Sequence, residues 1–444
     1  MAPNIPPTAA ASGPSKGNRY TDYPMALGVL TTIFFMWGFL TCLNDILIPH
    51  LKSIFQLNYA QAILVQFTFF GAYFLMALPS GKLVAALGYK KGIVAGLAIA
   101  GIGALGFWPA AALHSYNAFL GALFVLATGI TVLQVAANPY VALLGPERTS
   151  SSRLTLAQAL NSLGTTLAPL FGGLLILSNV VKTPDELAKL APAQQLIYQT
   201  QQAQAVQMPY VGLAIVLFLL AVFVWLFRLP TLEETTEKPG ATTKHTLMEA
   251  LRHPHVLFGV LGIFFYVGAE VSIGSFLVNY LAMPDIGHMT EQQATHYVSL
   301  YWGGAMVGRF IGSAVLQRVR TGPVLGTAAI CAGLLVLTSV LTNGHLAMAA
   351  ILAVGLCNSI MFPSIFTLGI QDLGPLTSKG SSLMIAAIVG GALIPLSQGK
   401  LADRIGLHPS FIIPAVCYIY IAAFGIAAIR RPPGSDSLLP VEPV

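Results

Sequence analysis

Charged side chains are scarce in this chain of 444 residues, because Asp, Glu, Lys and Arg together make up only 9% of it. In soluble globular domains these four types account for about a quarter of the residues. The mean hydropathy of +0.75 agrees with this shortage of charge. The two values together exclude a soluble domain and indicate a chain that lies largely in lipid.

Cysteine is also rare, with four residues in the whole chain. All four fall inside apolar runs without a Cys-x-x-Cys pair or a histidine cluster, which favours small buried side chains over disulfides or metal ligands. A nucleophile–base motif and a Gly-rich phosphate loop are missing as well. We therefore expect no enzyme activity, no cofactor and no bound metal.

Long apolar runs follow one another from Ala26 to Ile429. A helix needs about 20 apolar residues to cross the bilayer core. Backbone groups in lipid must be satisfied within their own segment, which requires helices. The runs therefore predict an all-α membrane protein with twelve transmembrane helices. We place the spans near residues 26–49, 60–84, 91–112, 116–144, 153–178, 209–228, 255–281, 292–317, 323–342, 346–371, 379–401 and 410–429.

Lys and Arg residues are divided unevenly between the two sides of the predicted bundle. With the N-terminus inside the cell, sixteen of the 22 lie in cytoplasmic segments and five lie outside, while Arg309 falls within a span. Positively charged loops face the cytoplasm, so both termini are predicted to be cytoplasmic. This bias also accounts for the net charge of +6, and we expect no nucleic-acid partner.

The chain is predicted to consist of two halves joined by a linker. Residues 26–228 predict an N-terminal six-helix bundle and residues 255–430 predict a C-terminal one. The charged stretch at 229–254 is the cytoplasmic linker between them. We expect the tails at 1–25 and 431–444 to be cytoplasmic, and the first is rich in Pro, Ala and Ser, which is typical of disorder.

The two halves resemble each other at an offset near 230 residues. The motif Ile-Phe-Phe occurs at 33–35 in span 1 and again at 263–265 in span 7, and Pro139 in span 4 matches Pro363 in span 10. Parallel six-helix repeats place a ligand site near the bilayer midplane, between the halves. The repeat therefore predicts two pseudo-symmetric bundles that rock about a central site.

Two acidic residues lie within predicted spans, where a charge is costly and indicates function. Asp45 lies in the outer half of span 1, and Glu270 lies in the middle of span 7. Burial disfavours the charged form of a carboxylate, so such a residue can exchange a proton near neutral pH. The alternatives are an interfacial acid near Lys52 for Asp45, and a hydrogen-bond anchor between helices for Glu270.

Side-chain amides recur on several predicted spans. An amide both donates and accepts hydrogen bonds, which suits neighbouring sugar hydroxyls, and an aromatic ring offers a flat face to a sugar ring. The alternatives are adhesion between helices for any one amide, and packing or lipid contact for any one ring. The candidate sugar-binding residues are Trp37, Asn44, Gln134, Asn138, Gln158, Asn161, Glu270, Asn279 and Asn358.

Four stretches carry a more specific signal: FFMWGFLTCLNDILIPHLK (34–52), QVAANPYVALLGP (134–146), RLTLAQALNSLG (153–164) and GSSLMIAAIVGGALIPLSQGKLAD (380–403). With them, the chain resembles the fucose permease branch of the major facilitator superfamily, the fucose–galactose–glucose:proton symporters. The resemblance implies that Asp45 is the acid of proton coupling. It also implies that Gln158 and Asn161 are the polar pair near the sugar.

The chain departs from fucose permease at Gln134, where fucose permease carries a Glu. The VLQVAANPY stretch is more similar to the glucose and galactose members. The resemblance therefore implies a monomer in the bacterial inner membrane that imports a hexose, glucose or galactose before fucose, together with protons. The alternatives are an L-fucose:proton symporter, a facilitative or sodium-coupled sugar carrier and, from another class, a membrane sugar sensor.

Overall fold

The computed structural model describes residues 23–55, 59–113, 115–175, 191–230 and 246–429. All regular elements within these ranges are helical. The helices of the first half are α1 (Pro24–Phe55), α2 (Tyr59–Leu87), α3 (Tyr89–Ala112), α4 (Tyr116–Leu143), α5 (Ser150–Leu175) and α6 (Pro192–Leu226).

The second half follows a short helix at Leu247–Arg252, whose first turn is closed by reciprocal hydrogen bonds between Thr246 and Glu249. Its first three long helices are α7 (Pro254–Ala282), α8 (Glu291–Arg318) and α9 (Thr321–Leu341). The last three are α10 (Gly344–Asn358 and Met361–Ile370), α11 (Thr377–Ala386 and Gly390–Ile405) and α12 (Ile412–Ile429).

Each predicted span coincides with one of the helices α1–α12, which confirms the predicted all-α membrane fold. Among the described residues, ten helical segments are long and apolar enough to cross a membrane. The helices outside that set are α5 and α8, which carry more polar side chains and pack against each other. Their polar faces therefore meet inside the bundle, away from lipid.

The predicted domain boundaries at 26–228 and 255–430 stay a prediction. Most of the linker (231–245) and nearly all of the two tails (1–22 and 430–444) lie outside the described residues.

Helix α6 extends beyond the predicted span at 209–228, because it begins at Pro192 while its apolar part covers Gln207–Leu226. The Gln-rich stretch before the apolar run forms its first turns. Gln and Ala both favour helix, and proline suits the first turn of a helix, where its missing N–H has no partner to lose. The polar stretch therefore continues the helix instead of ending it.

Helices α1 and α5 approach each other at two glycines. A Cβ atom at Gly38 would collide with the backbone carbonyl of Asn161, and a Cβ atom at Gly164 would collide with the carbonyl of Phe35. Small residues at such points let two backbones come into direct contact. This contact places the middle of α1 beside the polar face of α5.

Pro139 in α4 and Pro363 in α10 each leave one backbone carbonyl without its usual partner, because proline has no N–H for the residue four positions earlier. The carbonyl of Val135 accepts a 3.0 Å hydrogen bond from the Ser381 hydroxyl of α11, in the other half. The carbonyl of Ser359, where α10 is interrupted, lies 3.4 Å from Nε of Arg309 on α8. The repeated prolines thus supply acceptors for contacts between helices.

The seam between the halves is formed by α5 with α8 and by α2 with α11. Several of its hydrogen bonds lie at the end of the bundle where α6 ends and α7 begins, which we call the linker end. The hydroxyls of Ser152 and Ser313 donate to each other's backbone carbonyls at 2.7 and 3.1 Å. The Ser151 hydroxyl lies 2.8 Å from that of Thr321. The two halves are therefore joined at the linker end.

Candidate functional site

Helices α1 and α5 bring Trp37 and Asn161 to the same region. Nδ2 of Asn161 donates a 2.9 Å hydrogen bond to the backbone carbonyl of Phe34 on α1. The ring of Phe34 lies 4.5 Å from that of the buried Trp37, measured between centroids. The Oδ1 atom of Asn161 makes no hydrogen bond to another described residue. This amide therefore keeps an acceptor for a ligand while it joins two helices.

Gln158 lies three residues before Asn161, on the same face of α5. Its backbone carbonyl accepts a 3.1 Å hydrogen bond from the Ser162 hydroxyl and lies 3.5 Å from Nη1 of Arg309 on α8. Its buried side-chain amide makes no hydrogen bond to any other part of the chain that the structure describes. Gln158 therefore offers a ligand both a donor and an acceptor at the seam.

Gln134 and Asn138 lie one turn apart on α4, and both are buried. Nε2 of Gln134 donates a 2.7 Å hydrogen bond to the hydroxyl of Tyr73 on α2. Within the described ranges, neither the nitrogen nor the oxygen of the Asn138 amide has a partner. An unsatisfied buried amide costs free energy. Asn138 therefore has a free donor and a free acceptor that a ligand or a rearranged helix would pair.

Glu270 lies in the middle of α7 and has two partners in its own half. Its Oε1 atom accepts a 2.7 Å hydrogen bond from the hydroxyl of Tyr266. The same atom lies 4.0 Å from Nη2 of Arg309, and these two charged side chains are only 13% and 14% exposed. The predicted intramembrane acid is therefore part of a buried ion pair between α7 and α8.

Asn358 ends the first part of α10 and is fully buried among three tyrosines. Its Nδ2 donates to the hydroxyl of Tyr301 at 2.8 Å, and its Oδ1 accepts from the hydroxyl of Tyr418 at 2.8 Å. Its backbone carbonyl accepts from the hydroxyl of Tyr266 at 3.2 Å. Asn358 thus connects α10 with α8 and α12 through its side-chain amide and with α7 through its backbone carbonyl. A sugar contact for it stays a prediction.

Three further candidates, Asn44, Asp45 and Asn279, are not placed beside Glu270 and the α5 amides by the described structure. Asn279 is exposed near the end of α7, nine residues or about 14 Å along the helix from Glu270. Asn44 and Asp45 belong to α1, but their side chains lie outside the described part of the structure. Their roles stay predictions.

The structure brings the α5 amides and Glu270 together through a residue that the sequence analysis did not select. Arg309 contacts the Gln158 carbonyl on one side of the seam and faces Glu270 on the other. The available signal was a basic residue inside one span and an acidic residue inside the neighbouring span, since charges at membrane depth pair with each other. In the described ranges, no group of three His, Cys, Asp or Glu residues could hold a metal ion.

Comparisons with known proteins identify the family and the fold. Residues 26–384 match the family model of the Major Facilitator Superfamily. A protein of Brucella abortus named glucose/galactose transporter is 51% identical over 91% of this chain and 94% of its own length. A protein of Escherichia coli named L-fucose-proton symporter is 37% identical over 91% of this chain and 93% of its own length.

One solved structure is similar over nearly its whole length. It is the crystal structure of a major facilitator superfamily transporter, FucP, in the outward conformation. The TM-score is 0.85 at 36% sequence identity, and the alignment covers 90% of this chain and 98% of the solved one. The helix arrangement described above is therefore similar to that of the solved structure.

Proposed function

The chain belongs to the major facilitator superfamily, and we propose that it imports a hexose, glucose or galactose before fucose, by proton-coupled alternating access. The observation that carries the proposal is the pair of amides on α5, Gln158 and Asn161, at the seam between the halves. The glucose/galactose name of the Brucella abortus relative supports the sugar class. The name of the Escherichia coli symporter supports proton coupling.

The sugar site that we propose lies between the middle of α5 and the facing helices. The Gln158 amide and the Asn161 Oδ1 atom form hydrogen bonds with sugar hydroxyls. Trp37 of α1, whose ring packs against Phe34, offers a flat face to the sugar ring. Asn138 contributes from α4 once the helices rearrange. Asn44 is assigned to the same site by its place in the span. The protein acts as a monomer and carries out transport, not a chemical reaction.

Orientation and conformational state form a second part of the proposal. Both termini and the linker lie in the cytoplasm of a bacterial cell, and the protein spans the inner membrane. The hydrogen bonds of Ser152 with Ser313 then lie on the cytoplasmic side, where they keep the halves together. The site accordingly opens to the outside in the state described here, as in the outward conformation of the similar solved structure.

Sugar competition tests the substrate class. We expect unlabelled D-glucose or D-galactose to reduce uptake of labelled glucose into proteoliposomes more strongly than L-fucose does. A site whose buried amides bond particular hydroxyls discriminates against a sugar that leaves them unpaired. Gln134, which donates to Tyr73, supports this order because fucose permease carries an acid at that place. Stronger competition by L-fucose than by both hexoses would contradict the assignment.

Alanine substitutions test the proposed sugar contacts. We expect Gln158→Ala and Asn161→Ala to weaken glucose binding by about 1–3 kcal/mol each, since each leaves a sugar hydroxyl without its buried partner. Isothermal titration of the purified protein measures the affinity. Gln398→Ala is the matched control, because this buried amide of α11 bonds Ser410 and should affect stability but not affinity. If the α5 variants lose thermal stability at unchanged affinity, the two amides only hold helices together.

A further inference from the structure

Arg309 lies in the middle of α8 and contacts oxygen atoms of three other helices. Nη1 contacts the Ser162 hydroxyl and lies 3.5 Å from the Gln158 carbonyl, both on α5. Nε lies 3.4 Å from the Ser359 carbonyl that Pro363 leaves free on α10. Nη2 lies 4.0 Å from Oε1 of Glu270 on α7. One guanidinium group therefore connects both halves at membrane depth.

The geometry divides the guanidinium between two kinds of partner. Arginine presents its five N–H donors in a planar fork. Nε and Nη1 lie 3.4 and 3.5 Å from backbone carbonyl oxygens and Nη1 also contacts a hydroxyl, whereas Nη2 lies farther from its partner, at 4.0 Å from the Glu270 carboxylate. A small shift toward the carboxylate would bring this ion pair to hydrogen-bond distance and lengthen the contacts with α5. Arg309 can therefore strengthen its contact with Glu270 in its own half while it weakens its contacts with α5 in the other half.

The internal repeat has no counterpart for this pair. The offset of the Ile-Phe-Phe motif aligns Glu270 with Leu40, and the offset of Gly71 and Gly303 aligns Arg309 with Ala77. Both counterparts are apolar and buried, with exposed fractions of 1% for Leu40 and 0% for Ala77. A buried charge pair is costly where packed apolar residues suffice. Its presence in one half only indicates a functional role beyond stability.

The position of Arg309 along the seam indicates how it acts when the two halves move. Arg309 lies one turn from Ser313, whose reciprocal bonds with Ser152 join the halves at the linker end. When two bundles rock against each other, the ends of the seam separate most and the middle separates least. A tether in the middle of the seam can therefore persist through the cycle while its partners change.

We propose that Arg309 is a positioning residue that connects Glu270 to the Gln158 turn of α5, so that Glu270 influences both sugar affinity and closure of the linker end. This inference rests on the proposed sugar transport only where glucose affinity is measured, because closure of the linker end can be measured without sugar. The titratable groups described around Glu270 are Tyr266 of α7, Arg309 and Tyr301 of α8, and Tyr418 of α12. Arg309 is the group of opposite charge among them, so it is the partner that responds to the carboxylate.

A double-mutant cycle on glucose affinity provides the first test. We expect Arg309→Gln to weaken binding about tenfold, and the double variant Glu270→Gln/Arg309→Gln to bind no more weakly than Arg309→Gln alone, because residues that act through each other are not additive. Arg309→Lys, which keeps the charge but loses the fork, should recover part of the affinity. Additive losses, or full affinity in Arg309→Gln, would overturn the proposal.

A conservative hydroxyl-to-methyl substitution supplies the matched control. Thr166→Val lies on the same face of α5, one turn beyond Ser162, and its hydroxyl faces Met306 across the same seam at 3.5 Å. We expect it to bind glucose as the unmodified protein does. A loss equal to that of Arg309→Gln would mean that any disturbance of the seam lowers affinity, which would also overturn the proposal.

Cross-linking at the linker end tests the tether without sugar. Ser152→Cys and Ser313→Cys, whose parent hydroxyls lie 3.3 Å apart, are combined after the four native cysteines are replaced. We expect Arg309→Gln to slow disulfide formation several-fold and Arg309→Lys or Thr166→Val to leave it near the parent rate. If the parent protein binds no hexose, the transport proposal fails while this rate still decides the tether. An unchanged rate in Arg309→Gln would refute it.

Discussion

Replacing Asn358 with leucine is expected to destabilise the second half of the protein strongly. The fully buried amide donates to Tyr301 and accepts from Tyr418, so the leucine side chain leaves both phenols without that partner. Each buried polar group that loses its partner costs roughly 1–3 kcal/mol, and leucine fills similar space, so the loss is polar and not steric. The midpoint of thermal unfolding of the purified protein in detergent measures the effect.

Ser272→Ala is the matched control for this experiment. Ser272 is also fully buried, on α7, but its hydroxyl has no hydrogen-bond partner among the described residues. Removing an unpaired hydroxyl leaves no other polar group without a partner, so the unfolding midpoint should stay near that of the parent protein. If Asn358→Leu unfolds at the parent midpoint but no longer binds glucose, the amide contacts sugar and the tyrosines do not depend on it.

The fold could be predicted from the sequence because long apolar runs determine helices in lipid through local chemistry alone. All twelve predicted runs became helices, including α5 and α8, whose polar residues reduce their mean hydropathy. The predicted span at 209–228 agrees with the apolar part of α6 at Gln207–Leu226. The helix itself begins earlier, at Pro192, because an apolar run marks the part of a helix in lipid and not its full length.

The pairing of side chains across the bundle could not be predicted in the same way. Asn358 was selected as an amide within a span, but its tyrosine partners come from α7, α8 and α12, at sequence distances that no local pattern encodes. Arg309 was visible as a charge inside a span, yet its connection to Gln158 depends on how the two halves meet. Residue type indicates which positions matter, and only the helix arrangement identifies their partners.

The Asp45→Asn variant is expected to lose uphill sugar accumulation driven by a pH gradient while it still exchanges internal for external sugar. Asp45 lies within α1 and matches the coupling acid in the resemblance to the fucose permease branch. Asparagine keeps the shape and the hydrogen-bonding capacity of the side chain but cannot bind and release a proton. Net accumulation needs that proton cycle, whereas exchange returns the carrier with sugar bound and needs no net proton movement.

The experiment measures gradient-driven uptake and counterflow of labelled glucose in the same proteoliposomes, with Glu270→Gln beside Asp45→Asn. Glu270→Gln keeps an acceptor for the Tyr266 hydroxyl, so this variant should still accumulate sugar, at lower affinity. The two acids are then distinguished by which assay each one impairs, since a coupling residue affects accumulation and a positioning residue affects binding. Full accumulation by Asp45→Asn would remove Asp45 from the coupling mechanism. If neither variant changes the response to pH and sodium stimulates uptake, the coupling ion is sodium and the proton mechanism of the family does not extend to this chain.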